Sequence, residues 1–111
     1  MSPVIRSLAV QGLEEMGIVI DEKKNALAMC RNAEFDITGL GSKVKIFIIP
    51  TDEELVMTED TVALINGTYD VHTNYHYYFE NHDYVNRARA EGLQRDLEKK
   101  PWLKDIVARI P

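Results

Sequence analysis

Apolar positions near the start of the chain recur every three or four residues, which is the spacing of one helical face. They are Val4, Ile5, Leu8, Leu13 and Met16. Ser2 is a residue type that caps free amide groups, and Pro3 is tolerated at the first position of a helix. The pattern therefore predicts a helix over residues 3–16, and Gly17 is placed to end it in a left-handed conformation.

Residues 18–30 contain two short apolar runs on either side of a polar stretch. The first run, residues 18–20, is β-branched, the polar stretch covers residues 21–25, and the second run covers residues 26–30. Apolar runs that flank a polar turn predict a β-hairpin. Alanine, leucine and methionine in the second run also favour helix, so two conformations stay open there.

Two more segments have the alternation of β-strands. Residues 34–37 alternate between polar and apolar side chains, and residues 39–42 are typical of a flexible turn. Residues 43–49 begin with alternation and end apolar on both faces, and Pro50 follows them. Strands that are apolar on both faces are typical of the middle of a sheet. We therefore expect residues 43–49 to form the central strand.

Residues 51–67 allow two interpretations. The acidic start, residues 51–58, fits a single helical turn, and residues 61–65 favour β structure. Asn66-Gly67 follows, and this dipeptide is the strongest short signal for a hairpin turn. The alternative is a short helix over residues 59–66, with Gly67 as its stop. The sequence favours the hairpin.

Residues 69–79 alternate with a period of two, which predicts a long strand. One face of that strand would carry Val71, Thr73, Tyr75, Tyr77 and Phe79, and the other would carry Asp70, His72, Asn74, His76 and Tyr78. A strand in this position would leave alternate side chains free to touch another molecule.

Helical patterns return in the last third of the chain. A helix is expected from about Asp83, with a stripe of residues four apart, Val85, Arg89, Leu93 and Leu97, of which three are apolar. That stripe is narrow, which predicts a helix that is largely exposed or packed against something outside the chain. Pro101 interrupts the pattern, and the wide apolar face that follows predicts a last short helix.

The order of these elements indicates the fold class. Helices and strands do not alternate regularly, which argues against a parallel doubly wound sheet. We predict a single α+β domain over residues 1–111. Its mostly antiparallel sheet would have four to six strands, covered by one N-terminal helix and two C-terminal helices.

The composition of the chain indicates the cellular compartment in which the protein works. The chain has 111 residues and one cysteine, Cys30, so no internal disulfide can form. It shows neither a secretory signal nor an apolar run of about 20 residues, the length needed to cross a bilayer. These features predict a cytoplasmic protein with no membrane partner.

Charge is unevenly distributed along the chain. Residues 1–86 hold 6 basic and 14 acidic side chains, whereas residues 87–111 hold 7 basic and 4 acidic ones. The overall acidic balance and the acids within the basic segment argue against nucleic acid as a partner. The acidic group at residues 52–60 could instead steer onto the basic helix at 87–104 of a second copy or of another protein.

Three histidines, His72, His76 and His82, lie close together and suggest a metal site. On a strand, however, His72 and His76 would be roughly 13 Å apart, too far to share one ion. No phosphate-binding or nucleophile motif is present either, so the sequence predicts no cofactor and no catalytic residue.

All five tyrosines fall between Tyr69 and Tyr84. Tyrosine is enriched in recognition surfaces, although half of these rings could equally fill the core. We therefore predict a non-enzymatic protein-interaction domain: an oligomeric assembly subunit, an adaptor or an inhibitor, of a size common among viral and mobile-element accessory proteins. The alternative is a metal-dependent enzyme or sensor using the three histidines. The predicted partner-binding residues are Tyr75, Tyr77, Tyr78, His72, His76, Arg87, Arg95, Asp52, Glu53 and Glu54.

Overall fold

The computed structural model describes residues 2–29, 31–71 and 74–108. Its helices are α1 (Pro3–Val10), α2 (Glu22–Leu27), α3 (Glu53–Ile65) and α4 (Arg87–Lys99), and its strands are β1 (Phe35–Asp36) and β2 (Phe47–Ile48). Short 3₁₀ helices cover Glu14–Met16, Tyr78–Glu80 and Pro101–Asp105. The chain divides into two compact units, the first formed by residues 1–50 with 87–111 and the second by residues 51–86. That the whole chain forms a single domain stays a prediction.

The N-terminal helix is shorter than the apolar spacing predicts. α1 ends at Val10, because Gln11 leaves the helical conformation with ψ 128° and Gly12 follows in a left-handed conformation with φ 85°. A 3₁₀ turn at Glu14–Met16 follows, and Gly17 ends it with φ 84°. The left-handed stop at Gly17 is thus confirmed, whereas the unbroken helix over residues 3–16 is wrong.

The predicted hairpin over residues 18–30 is also wrong, because its supposed turn starts a helix. The Asp21 side chain accepts hydrogen bonds from the backbone N–H groups of Lys23 and Lys24, both at 3.0 Å. These bonds satisfy amide groups that a helix start leaves free. α2 therefore begins at Glu22, one residue after its cap.

The sheet is much smaller than expected. β1 and β2 pair antiparallel, with Phe35 opposite Ile48 and Asp36 opposite Phe47. They form the only sheet among the described residues, so the prediction of four to six strands is wrong. A single bridge joins Val107 to Phe35 on the other side of β1, so the central position belongs to β1 rather than to the strand at 43–49.

The core of the first unit lies against this small sheet. Phe35 is 0 % exposed and Leu103 is 2 % exposed. The buried cluster consists of Ala28, Ala33, Phe35, Ile37, Ile48, Leu103 and Ile106. Residues 28–48 and residues 103–106, which are far apart in the sequence, therefore share one core.

In the second unit, α3 replaces the hairpin favoured at residues 61–71. The Asp52 side chain accepts a hydrogen bond from Leu55 N–H at 3.3 Å and caps the helix. β-Branched Thr61 fits because its hydroxyl donates to the Met57 carbonyl one turn earlier. Gly67, with φ 66°, follows the helix end. The hairpin prediction is wrong. The alternative, a short helix over residues 59–66 with Gly67 as its stop, is right about the conformation and the end, but the helix begins earlier, at Glu53.

Residues 69–79 do not form a strand in their described part. The Tyr75 N–H donates to the Val71 carbonyl at 3.1 Å, a bond between residues four apart that an extended strand cannot make, and a 3₁₀ helix covers Tyr78–Glu80. The strand prediction is therefore wrong, and its residues His72 and Thr73 lie outside the described residues. Hydrogen bonds to α3, and not strand pairing, hold this segment in place.

Near the C-terminus, α4 begins at Arg87, later than predicted. Its side chains Leu93 and Leu97 pack against the core of the first unit, so the narrow stripe has a partner within the chain. A 3₁₀ helix begins at Pro101, which confirms that proline starts a final short helical segment. None of the described helices is long and apolar enough to cross a membrane.

Candidate functional site

Acidic side chains begin helix α3. Asp52 caps the helix and also accepts a hydrogen bond from Asn86 Nδ2 at 3.3 Å. Glu53 and Glu54 form the first turn, and both are exposed. Carboxylates are favourable here because the first turn of a helix carries free N–H groups and partial positive charge. The structure thus brings the three predicted acids together at one helix end.

Two further acids on α3 hold the tyrosine segment in place. The Tyr77 hydroxyl donates to Asp60 Oδ1 at 2.8 Å, and the Tyr78 N–H donates to Glu59 Oε2 at 2.8 Å. The pKa of Tyr77 is raised to about 12, mainly because burial desolvates the phenol and secondly because the hydroxyl donates to Asp60. The phenol is therefore harder to deprotonate than that of an exposed tyrosine.

The aromatic rings of this segment contact one another in tilted, edge-to-face and stacked pairs. Tyr75 contacts Tyr69 and Tyr77, with ring centroids 5.6 and 4.9 Å apart, and Tyr77 stacks on Phe79 at 5.0 Å. Tyr77 is 3 % exposed, whereas Tyr78 is 68 % exposed. Of the three tyrosines predicted to bind a partner, Tyr77 fills the interior and Tyr78 faces solvent. Their role in partner binding stays a prediction.

The histidines are only partly described. His76 Nδ1 lies 2.9 Å from Glu80 Oε2, and its Nε2 lies 3.3 Å from Asn81 Oδ1. His82 is exposed, and His72 lies outside the described residues. Among residues 2–29, 31–71 and 74–108, no group of three metal-binding side chains gathers. The histidine metal site therefore stays untested.

The predicted basic residues Arg87 and Arg95 are both exposed on α4. Between them, Arg89 donates from Nη1 to the Pro50 carbonyl at 3.1 Å. It borders an open cavity of about 330 Å³ that is also lined by Asn32. Asn32 Nδ2 donates to Asp96 Oδ2 at 2.7 Å. The polar side chains of Asn32 and Arg89 are thus already engaged within the chain.

Sequence reasoning missed a buried polar cluster between α1 and α2. Asn25 is 1 % exposed, and its Oδ1 accepts a hydrogen bond from Arg6 Nε at 2.7 Å. Its Nδ2 donates to the Pro3 carbonyl at 3.0 Å and to Ser7 Oγ at 2.9 Å. Arg6 Nη2 also donates to the backbone carbonyls of Asn25 and Ala28. An isolated arginine and asparagine have no spacing motif, so the sequence offered no signal for them.

Comparison with known proteins decides the family. The model of the acetokinase family matches residues 1–59, more than half of the chain. The chain belongs to the acetokinase family. This match contains α1, α2, both strands and the acidic first turn of α3.

Curated relatives agree with this assignment. The acetate kinase of Treponema pallidum (strain Nichols) is 59 % identical over 103 residues, which cover 93 % of this chain and 23 % of that protein. The acetate kinases of Trichlorobacter lovleyi and Geobacter sulfurreducens are 51 % identical over 85 residues and 49 % identical over 83 residues. Those matches cover 77 % and 75 % of this chain, and 20 % of each relative. The chain thus spans about a fifth to a quarter of the length of these relatives. No solved structure matches it.

These findings correct the functional predictions. A non-enzymatic adaptor, assembly subunit, inhibitor or viral accessory protein is wrong, because the family and its relatives are kinases. The prediction that the chain has no enzymatic role is wrong for the same reason. The alternative of an enzyme was closer, although its histidine metal site is untested. The sequence missed the family because no catalytic motif of a general kind lies in the matched segment.

Proposed function

We propose that this chain forms part of an acetate kinase, an enzyme that transfers a phosphoryl group from a nucleoside triphosphate to a carboxylate oxygen of acetate. The products of that transfer are acetyl phosphate and the nucleoside diphosphate. The observation that carries the proposal is the 59 % identity over 103 residues to the acetate kinase of Treponema pallidum. We expect the enzyme to work in the cytoplasm.

The surface of α1 supports a place within a larger enzyme. Val4, Ile5 and Leu8 are 66, 68 and 62 % exposed, and α1 buries none of its residues. Contiguous exposed apolar side chains are typical of surfaces that contact more protein. In this proposal, the protein partner is the remainder of the kinase.

Glu53 and Glu54 are the residues of this chain that we propose to serve the reaction. Kinase sites bind Mg²⁺ through one or two carboxylates together with substrate phosphates. These two glutamates lie in the family match, are exposed, and have oxygen ligands suited to that ion. Adjacent side chains on a helix point in different directions, so only one of them would face a given ion.

A chimera tests the proposal. The 103 matched residues of the Treponema pallidum acetate kinase are replaced by their counterparts from this chain, and acetyl phosphate formation is measured. We expect the chimera to be active and the enzyme lacking those residues to be inactive. A chimera that folds, as judged by circular dichroism, but forms no acetyl phosphate would contradict the proposal.

The glutamates are tested in the same chimera. We expect one of Glu53→Gln and Glu54→Gln to lower kcat at least about tenfold and to raise the Mg²⁺ concentration needed for half-maximal rate. Glu14→Gln is the matched control, because Glu14 is also exposed and within the family match. If neither variant differs from the control, the role given to the glutamates is wrong.

A further inference from the structure

Strand β2 has a composition that its surroundings in this chain do not explain. Ile46, Phe47, Ile48 and Ile49 are all apolar, so the segment is apolar on both faces. Such strands are normally covered on both faces and paired on both edges. Here β2 is paired only with β1 among the described residues.

The register shows which backbone groups of β2 are free. Ile37 N–H donates to the Ile46 carbonyl at 3.0 Å. In an antiparallel ladder this makes Phe35 and Ile48 a hydrogen-bonded pair and turns the N–H and C=O groups of Phe47 and Ile49 away from β1. No described residue forms a hydrogen bond with those outward groups.

One face of β2 is open as well. Phe47 is 47 % exposed and Ile49 is 60 % exposed, whereas Ile48 between them is 5 % exposed and belongs to the core. Charged residues usually protect free strand edges. Lys45 does not do so here, because its ammonium group pairs with Asp36 on β1 at 3.2 Å.

The opposite edge of the sheet is already closed. Asp36 N–H donates to the Ile106 carbonyl at 3.0 Å, and Ala108 N–H donates to the Glu34 carbonyl at 2.8 Å. The C-terminal segment therefore covers β1. Among the residues that the structure describes, the outer edge at Phe47 and Ile49 is therefore the edge of this sheet that has no backbone partner.

We propose that the free edge of β2 pairs with a β-strand from the remainder of the acetate kinase, which turns β2 into an interior strand. This inference rests on the proposed function. The remainder of the enzyme is a better occupant than a second copy, because this chain spans only 23 % of the length of the Treponema pallidum relative. Added strands gain affinity from main-chain hydrogen bonds and specificity from side-chain contacts, here with Phe47 and Ile49.

Hydrogen exchange tests the pairing residue by residue. Amide exchange is measured by NMR on the 111-residue chain alone and on the active chimera described above. The Phe47 and Ile49 amides should exchange at least about tenfold more slowly in the chimera than in the chain alone. The Ile48 amide, which faces β1, is the internal control and should be protected in both.

Side-chain variants provide a second measurement. Ile49→Lys should remove the added protection and lower the acetate kinase activity of the chimera at least about tenfold. It should leave the circular dichroism of the chain alone unchanged, because Ile49 is mostly exposed there. Leu40→Lys is the control, since Leu40 is fully exposed in a turn of the same unit, and it should change neither quantity.

The outcomes separate this inference from the proposed function. An active chimera in which Phe47 and Ile49 still exchange rapidly would overturn the inference and leave the function standing. Protection that rises with the concentration of the chain alone would assign the edge to a second copy and overturn the inference. A folded chimera that is inactive and unprotected would overturn both.

Discussion

The attachment of α1 to α2 depends on polar contacts, because α1 buries none of its residues. Asn25 is the centre of these contacts, and Asn25→Ala would remove all those of its side chain. The change deletes the acceptor of Arg6 Nε and the donor to the Pro3 carbonyl. It should therefore destabilise the chain more than the loss of an exposed asparagine would.

The magnitude follows from these two losses. A hydrogen bond to a charged group contributes about 1.5–3 kcal/mol, and an unsatisfied buried polar group costs about 1–3 kcal/mol. Ser7 Oγ adds little to the loss, because it also donates to Glu22 Oε2 at 2.8 Å. Burial lowers the pKa of the Arg6 guanidinium, whose Nη1 has no partner among the described residues. Added together, the two losses predict that Asn25→Ala costs about 2.5–6 kcal/mol.

Urea unfolding followed by circular dichroism measures this loss. Asn66→Ala is the same-type control, because Asn66 is exposed, and it should change stability by less than about 0.5 kcal/mol. A double-mutant cycle with Arg6→Ala should give a coupling energy of about 1.5–3 kcal/mol. A loss below about 0.5 kcal/mol for Asn25→Ala, or additive effects in the cycle, would refute the reasoning.

Three further predictions concern other parts of the chain. The pKa of Tyr77 is raised from 10.0 to about 12 on folding, so its contribution to stability is complete below pH 10.0 and is lost as the pH rises through about 12. Unfolding followed between these pH values should show this loss in the parent chain and a smaller one in Tyr77→Phe. Gly17→Ala and Gly41→Ala should each cost about 1–2 kcal/mol in thermal unfolding, since both glycines have positive φ. Gly17→Ala should cost more, because its Cβ would lie 2.6 Å from Lys43 side-chain carbons, whereas Gly41 has open space. Leu103→Ala should cost about 2–5 kcal/mol in urea unfolding if the C-terminal segment shares the core, and a value near zero would exclude that.

Local signals in the sequence determined several features. Gly17 and Gly67 marked chain reversals, because only glycine adopts positive φ without strain. Pro101 marked the start of the last helical segment, and residues 34–37 and 43–49 marked the positions of β1 and β2. Each of these depends on the conformational preferences of one residue or of a short alternating run.

Tertiary structure decided the features that local preference left ambiguous. Residues 61–65 favour β structure locally, but they form the last part of α3. That helix begins at the Asp52 cap and ends at Ile65. The tyrosine segment does not form the predicted strand. Instead, Glu59 on α3 accepts a hydrogen bond from its backbone, and Asp60 accepts one from its Tyr77 hydroxyl. The polar cluster of Arg6 and Asn25 exists only where α1 meets α2. The proposed function likewise rests on the identity over 103 residues to a relative of which this chain covers 23 %, and not on any local motif.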